Sequence, residues 1–91
     1  MAQIRFSNRV IDEAIQIVLR SVESHNTQRA YARALNDFKQ WYLGQDRELS
    51  KALIQSYAAQ LQDGGMDASN INQRLTAIRK LIEEAADNGH I

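Results

Sequence analysis

The sequence predicts an all-α protein, a small four-helix bundle, and three observations support that prediction. Apolar residues recur every three or four positions along most of the chain, which is the spacing of helices with one buried side. Proline is absent and glycine occurs only four times, so few residues oppose helix formation. No segment shows the alternating apolar and polar pattern that is typical of a half-buried strand.

The first helix is predicted over residues 8–22, and its apolar residues cover a broad arc. The arc consists of Val10, Ile11, Ala14, Ile15, Ile17, Val18, Leu19 and Val22. It spans roughly 180–200° of the helix surface, which exceeds what one face of a small bundle needs. Two interpretations remain open: the other helices wrap this one deeply, or part of the arc docks onto another protomer or domain.

The second helix is predicted over residues 25–43, with Ser24 or Asn26 as its amino-terminal cap and Gly44 as its end. Its apolar stripe carries most of the aromatic residues and consists of Tyr31, Ala34, Leu35, Phe38, Trp41 and Tyr42. The far side is polar and basic, with Asn26, Arg29, Arg33, Asn36 and Gln40. This helix is therefore expected to supply both core and ligand-facing side chains.

The third helix is predicted over residues 50–63, and the Gly64–Gly65 pair ends it. The inward residues are expected to be Leu53, Ile54, Tyr57, Ala58 and Leu61. The fourth helix is predicted over residues 68–86, after the cap Asp67 and before a stop at Asn88–Gly89. Its predicted buried stripe is Ile71, Leu75, Ile78, Ile82 and Ala85, and its outer row is Ser69, Gln73, Thr76 and Lys80.

Composition limits the class of protein. A chain of 91 residues with 44% hydrophobic residues is expected to form one globular domain with a small core. There is no cysteine, which excludes a disulfide framework and a thiolate metal site. No apolar run approaches the roughly 20 residues of a membrane span, and no signal-peptide pattern is present. We therefore expect a cytoplasmic protein without a membrane partner.

A search for catalytic and metal-binding patterns yields none. His25 and His90 stand in no metal-ligand spacing. Adjacent carboxylates such as Asp12 and Glu13 diverge by about 100° on a helix, so they cannot face each other across a substrate. No glycine-rich phosphate loop exists, because Gly64–Gly65 has no strand before it and no lysine after it. We expect no catalytic residue, metal or cofactor, which leaves binding as the function.

The charge distribution points to a nucleic acid although the net charge is zero, with eleven basic and eleven acidic residues. Residues 24–36 and 68–82 contain basic residues and no carboxylate. Arginine and lysine suit phosphates, and glutamine and asparagine suit adenine edges. The sequence therefore predicts a DNA interface on which Arg29, Arg33, Gln73 and Lys80 point outward together.

Three blocks of sequence resemble a known family. They are SHNTQRAYARALNDFKQW at 24–41, LSKALIQSYAAQL at 49–61, and the turn GGMDAS followed by NINQRLTAIRKL at 64–81. In this order and spacing they resemble the amino-terminal core-binding domain of tyrosine recombinases, the phage-integrase, Xer and Cre group. The resemblance implies a SAM-like bundle of phage-integrase type. It also implies that this domain and a carboxy-terminal catalytic domain form a C-shaped clamp around duplex DNA at a recombination site.

The resemblance also implies site residues. By position, the places where family members touch DNA are Thr27, Arg29, Ser69, Asn70, Gln73, Thr76 and Ala77. Arg33 and Lys80 are added from the helical wheel alone. Asn70 stands where the family often has threonine, so base preference cannot be transferred to this chain. The family's catalytic tyrosine lies in the second domain, expected after residue 91, so this chain is expected not to cut DNA.

Two further functional hypotheses compete with sequence-specific DNA binding. The first is a small helical protein–protein interaction module that uses the apolar arc, and the zero net charge favours it. The second, a helix-turn-helix repressor, fits less well because a glycine pair joins helices three and four without that motif's compact pattern. Within the recombinase hypothesis, the expected partners are duplex DNA, the catalytic domain, and a neighbouring protomer through helix 8–22.

Overall fold

The computed structural model describes residues 7–45 and 47–87, which form four helices. They are α1 (Asn8–Ser21), α2 (His25–Leu43), α3 (Lys51–Asp63) and α4 (Ala68–Asp87). The predicted all-α class is confirmed, and each helix begins and ends within one residue of its predicted bounds. The predicted stop at residues 88–89 lies outside the described residues.

A side-chain oxygen caps the amino terminus of each of the four helices. The hydroxyls of Ser7, Ser24 and Ser50 accept from backbone amides three residues later, and the Asp67 carboxylate accepts from the Asn70 amide at 2.8 Å. Ser24 is thus the cap of α2, rather than the alternative Asn26. Because Ser50 is itself a cap with extended backbone, α3 begins at Lys51 and not at residue 50.

The wrapping interpretation of α1 agrees with the structure. Ile11, Ala14, Ile15 and Val18 are buried, and α1 packs against both α2 and α4. Three further arc residues, Val10, Leu19 and Val22, lie partly buried against the same core. Most of the apolar arc of α1 therefore lies inside the domain. The interaction-module hypothesis depends on this arc, which is largely unavailable for contact with another protein.

The buried side of α4 differs from the predicted stripe. Ile78 and Ala85 are fully buried as expected, but the other two buried residues are Ala77 and Leu81. The predicted core residues Leu75 and Ile82 are only partly buried and line an open groove between α3 and α4. The reason is that α4 packs against all three other helices, and its extensive contacts with α1 and α2 turn the line of closest packing toward Ala77 and Leu81.

An aromatic cluster joins α2 to α3. The ring of Phe38 lies 5.2 Å from that of Tyr57 in an edge-to-face arrangement, and Trp41 lies 5.0 Å from Tyr57. The indole N–H of Trp41 donates to the Gln60 side chain at 2.9 Å, so its polar end is satisfied. These contacts fix α3 against α2. None of the described helices has the length and apolar character needed to cross a lipid bilayer.

Candidate nucleic-acid interface

A polar cleft lies between α2 and the first half of α4. Its walls are Arg29, Ala30 and Arg33 from α2, Asn70, Gln73 and Arg74 from α4, and Met66 from the preceding turn. The open volume is about 420 Å³. Four of the predicted site residues, separated by some forty positions in sequence, therefore share one surface: Arg29, Arg33, Asn70 and Gln73. All four are exposed.

The helical period of α2 directs its two arginines into this cleft. Arg29 and Arg33 are four residues apart and so lie about one turn along the same side. The core residues Leu35 and Phe38 hold the opposite side of α2 in the bundle. Neither guanidinium has a carboxylate partner among the described residues, which leaves both free to bind an anion.

The α4 wall of the cleft carries two amide side chains, Asn70 and Gln73, in addition to Arg74. Asn70 and Gln73 lie in the first two turns of α4, where each carries both a hydrogen-bond donor and an acceptor. The Asp67 carboxylate accepts from the backbone N–H of Asn70. An anion therefore already occupies the positive end of the α4 dipole, so the anion-binding groups of the cleft are the arginines of α2.

Arg74 closes one end of the cleft, and the sequence alone does not predict it as a site residue. Its Nη1 donates to Asp37 Oδ2 on α2 at 2.8 Å, and its guanidinium donates to the Tyr57 hydroxyl on α3. Only 15% of its side chain is exposed, against 57% for Asp37. Arg74 thus ties three helices together next to the cleft.

The pKa values in this cluster follow from burial and charge. Burial is the largest influence on Arg74 and disfavours its charge, but the hydrogen bonds to Asp37 and Tyr57 outweigh it, so the pKa of Arg74 is raised. Burial also raises the pKa of Tyr57, and the nearby Arg74 offsets this only in part. Arg74 is therefore a permanent cation whose charge is already matched by a carboxylate.

The remaining predicted residues lie around the cleft or outside it. Ser69, Thr76 and Lys80 are exposed on α4 but do not line the cleft, although they share a row with Gln73 at helical spacing. Thr76 donates its hydroxyl to the backbone carbonyl of Asn72 at 2.9 Å. Thr27 is half-buried in the first turn of α2.

Ala77 is a correction to the predicted site. Its side chain is fully buried in the core, so it does not contact a ligand on this surface. The family resemblance implies a DNA contact at this position, but the packing of α4 against α1 and α2 turns it inward in this chain. The small side chain suits a place where helices approach closely.

The fold and the cleft define a class: a small all-helical domain with a cationic groove between its second and fourth helices. The chain belongs to the family described as phage integrase, N-terminal SAM-like domain, which it matches over residues 16–89. This match confirms the resemblance found in the sequence blocks.

Two curated relatives are tyrosine recombinases from cyanobacteria. A tyrosine recombinase of Synechocystis sp. is 32% identical over 84 residues, covering 78% of this chain and 27% of the relative. A tyrosine recombinase of Synechococcus elongatus is 29% identical over 83 residues, covering 77% of this chain and 26% of the relative. The chain thus spans about a quarter of the length of these proteins. No solved structure gives a significant match.

Proposed function

We propose that this domain binds duplex DNA as the amino-terminal module of a tyrosine recombinase. The observation that carries the proposal is the cleft between α2 and α4. It is lined by two amide side chains and by two arginines that have no carboxylate partner among residues 7–45 and 47–87. Arginines supply affinity for phosphates, and amide side chains read base edges, so one surface contains both kinds of contact. Membership of a recombinase family supports the same ligand.

The dimensions of the domain suit this ligand. Its principal extents are 34, 30 and 19 Å, so its longest dimension matches about one helical turn of B-DNA. A helix fits the major groove, which is about 12 Å wide. We assign Arg29 and Arg33 to phosphates and Asn70 and Gln73 to base edges. Lys80, two turns along α4 from Gln73, would reach a phosphate farther along the duplex.

Strand cleavage is assigned to another part of the recombinase. The relatives are nearly four times as long as the matched region, which leaves room in them for a separate catalytic domain. The role proposed for this chain is to hold one face of the recombination site. With so few cationic side chains on that face, the isolated domain should bind weakly and with strong salt dependence.

A binding titration tests the proposal. A short duplex oligonucleotide is titrated with the protein at several salt concentrations between about 50 mM and about 200 mM, and the slope of log K against log salt is measured. Between two and four phosphate contacts are expected, which corresponds to a slope of about −2 to −4. Binding that shows no salt dependence, or no binding at the lowest salt, would overturn the proposal.

Amide chemical shifts locate the contact independently. Perturbations caused by the duplex should concentrate at residues 26–36 and 69–80. Perturbations confined to α1 or to the α3–α4 groove would instead favour an interaction module of another kind. Protein partners titrated under the same conditions provide the comparison.

A further inference from the structure

The carboxylate of Asp37 stands at the end of the cationic line on α2. Arg29, Arg33 and Asp37 are spaced four residues apart, so they follow one another along the same side of the helix. The first two are cations in the cleft without a carboxylate partner in the described ranges, whereas Asp37 is an exposed anion bonded to Arg74. A phosphate backbone that follows the arginines would meet this negative charge next.

Arg74 is the third cation of the cleft wall, and its charge is already engaged. Its guanidinium bonds to Asp37 at 2.8 Å and to the Tyr57 hydroxyl, and its side chain is only 15% exposed. To reach a phosphate it would have to leave both partners. Forming the ion pair costs the exposed Asp37 far less hydration than it costs the enclosed Arg74. The Asp37 carboxylate therefore competes effectively with a DNA phosphate for the Arg74 guanidinium.

Resting on the DNA-binding function proposed above, we infer that Asp37 limits the affinity of the domain for DNA by engaging Arg74 and by ending the cationic line on α2. The physical argument is that affinity for any sequence rises with each cation that displaces counterions from phosphates. An anion at the edge of the footprint lowers this non-specific affinity and leaves the base contacts of Asn70 and Gln73 untouched. Specificity is the difference between the affinity for the target site and the affinity for other sequences, so a lower non-specific affinity increases it.

The chain contains a closely matched control. Asp12 on α1 bonds to Lys39 on α2, with 51% of the aspartate side chain and 16% of the lysine side chain exposed. These fractions resemble those of the Asp37–Arg74 pair, and each pair joins two helices. Lys39 lies two positions after Asp37, about 200° around α2, so the Asp12 pair lies away from the cleft.

The test compares Asp37→Asn with Asp12→Asn on a short duplex of arbitrary sequence. Asp37→Asn should raise affinity at least threefold at low salt and steepen the salt slope by about 0.9, since one more cation reaches a phosphate. Asp12→Asn adds the same net charge and should leave the slope unchanged. If Asp37 served only to hold the cleft together, Asp37→Asn would loosen the cleft and lower its affinity for DNA.

The double variant Asp37→Asn with Arg74→Met identifies the cation responsible. It has the net charge of the wild-type chain, and its slope should return to the wild-type value. A slope smaller than that of the wild type would mean that Arg74 already contacts DNA in the unmodified protein, which overturns the inference.

The outcomes separate the inference from the function on which it rests. If the wild-type chain binds DNA with salt dependence and Asp37→Asn binds no more tightly, the inference is wrong and the proposed function stands. If the wild-type chain and both single variants show no salt-dependent binding, the proposed function fails and the inference fails with it. Thermal unfolding of each variant confirms that the compared proteins are folded.

Discussion

At the scale of single residues, burial distinguishes the arginines of this domain. Arg29 and Arg33 are exposed and lack carboxylate partners in the described part of the chain, whereas Arg74 is enclosed and paired. All three line the same cleft. The same residue type therefore has two roles within one surface: attraction of an anion, and connection of three helices.

Replacing Arg29 or Arg33 by glutamine should weaken binding to every duplex. Each change should reduce the magnitude of the salt slope by about 0.9, because one phosphate contact is lost. The control is Arg9→Gln, since Arg9 is an exposed cation on α1 that pairs with Glu13 away from the cleft. Equal losses of slope in the control and in the cleft variants would contradict the assignment.

Replacing Gln73 by alanine should act differently. An amide that reads a base edge contributes about 1–3 kcal/mol of discrimination between bases, while it neutralises no phosphate. We expect the preferred sequence to change in a selection from random duplexes, with the salt slope unaltered. A changed slope with an unchanged preferred sequence would assign Gln73 to the backbone instead.

At the scale of elements, the turn between α3 and α4 sets the position of one cleft wall. Gly65 has a φ of +92°, a conformation that residues with a Cβ atom rarely adopt, and Met66 follows it directly in the cleft. Gly64 has an ordinary φ of −79°. Only one residue of the glycine pair is thus required by backbone conformation.

The variant Gly65→Ala should therefore lower stability by about 1 kcal/mol, because alanine is strained at positive φ. Gly64→Ala is the matched control, since its φ is ordinary and a Cβ there would lie 3.4 Å from the Gln60 carbonyl oxygen and 3.6 Å from that of Leu61. Urea denaturation of both proteins measures the difference. Equal destabilisation by the two variants would show that conformational strain is not the cause.

The junction of α1 and α2 is a second element-scale feature. The Gln28 side chain donates to the Leu19 carbonyl in the last turn of α1 at 2.8 Å, and the same carbonyl accepts from the Val22 backbone N–H at 3.4 Å. Gln28 lies next to Arg29, and the bond anchors the start of α2 against α1. This link carries no periodic signal, which is why the sequence did not predict it.

At the scale of the whole molecule, the zero net charge is compatible with an anionic ligand because the charges are segregated. Several carboxylates are held in ion pairs, with Arg9–Glu13, Lys39–Asp12 and Arg74–Asp37 as the described examples. Other carboxylates, Glu83, Glu84 and Asp87, gather at the end of α4 farthest from the cleft. The overall sum therefore conceals a local excess of cations.

Stability of the folded domain should fall in alkaline solution. The pKa of Tyr57 is raised above its ordinary value of 10.0, chiefly by burial. The folded protein thus holds this proton more tightly than the unfolded chain, so the free energy of unfolding falls as pH rises from about 10 through the raised pKa. In Tyr57→Phe this contribution should vanish, and urea denaturation at neutral and alkaline pH measures it. An unchanged alkaline loss would assign it to other groups.

The sequence by itself determined the helices and the line of cations on α2. Helix caps and glycines are local signals, and the four-residue spacing of Arg29 and Arg33 needs no knowledge of the neighbouring helices. Only the tertiary structure decided that Ala77 is buried and that Arg74 is paired with Asp37. A helical wheel describes one helix alone, whereas the rotation of each helix about its axis is set by the helices packed around it.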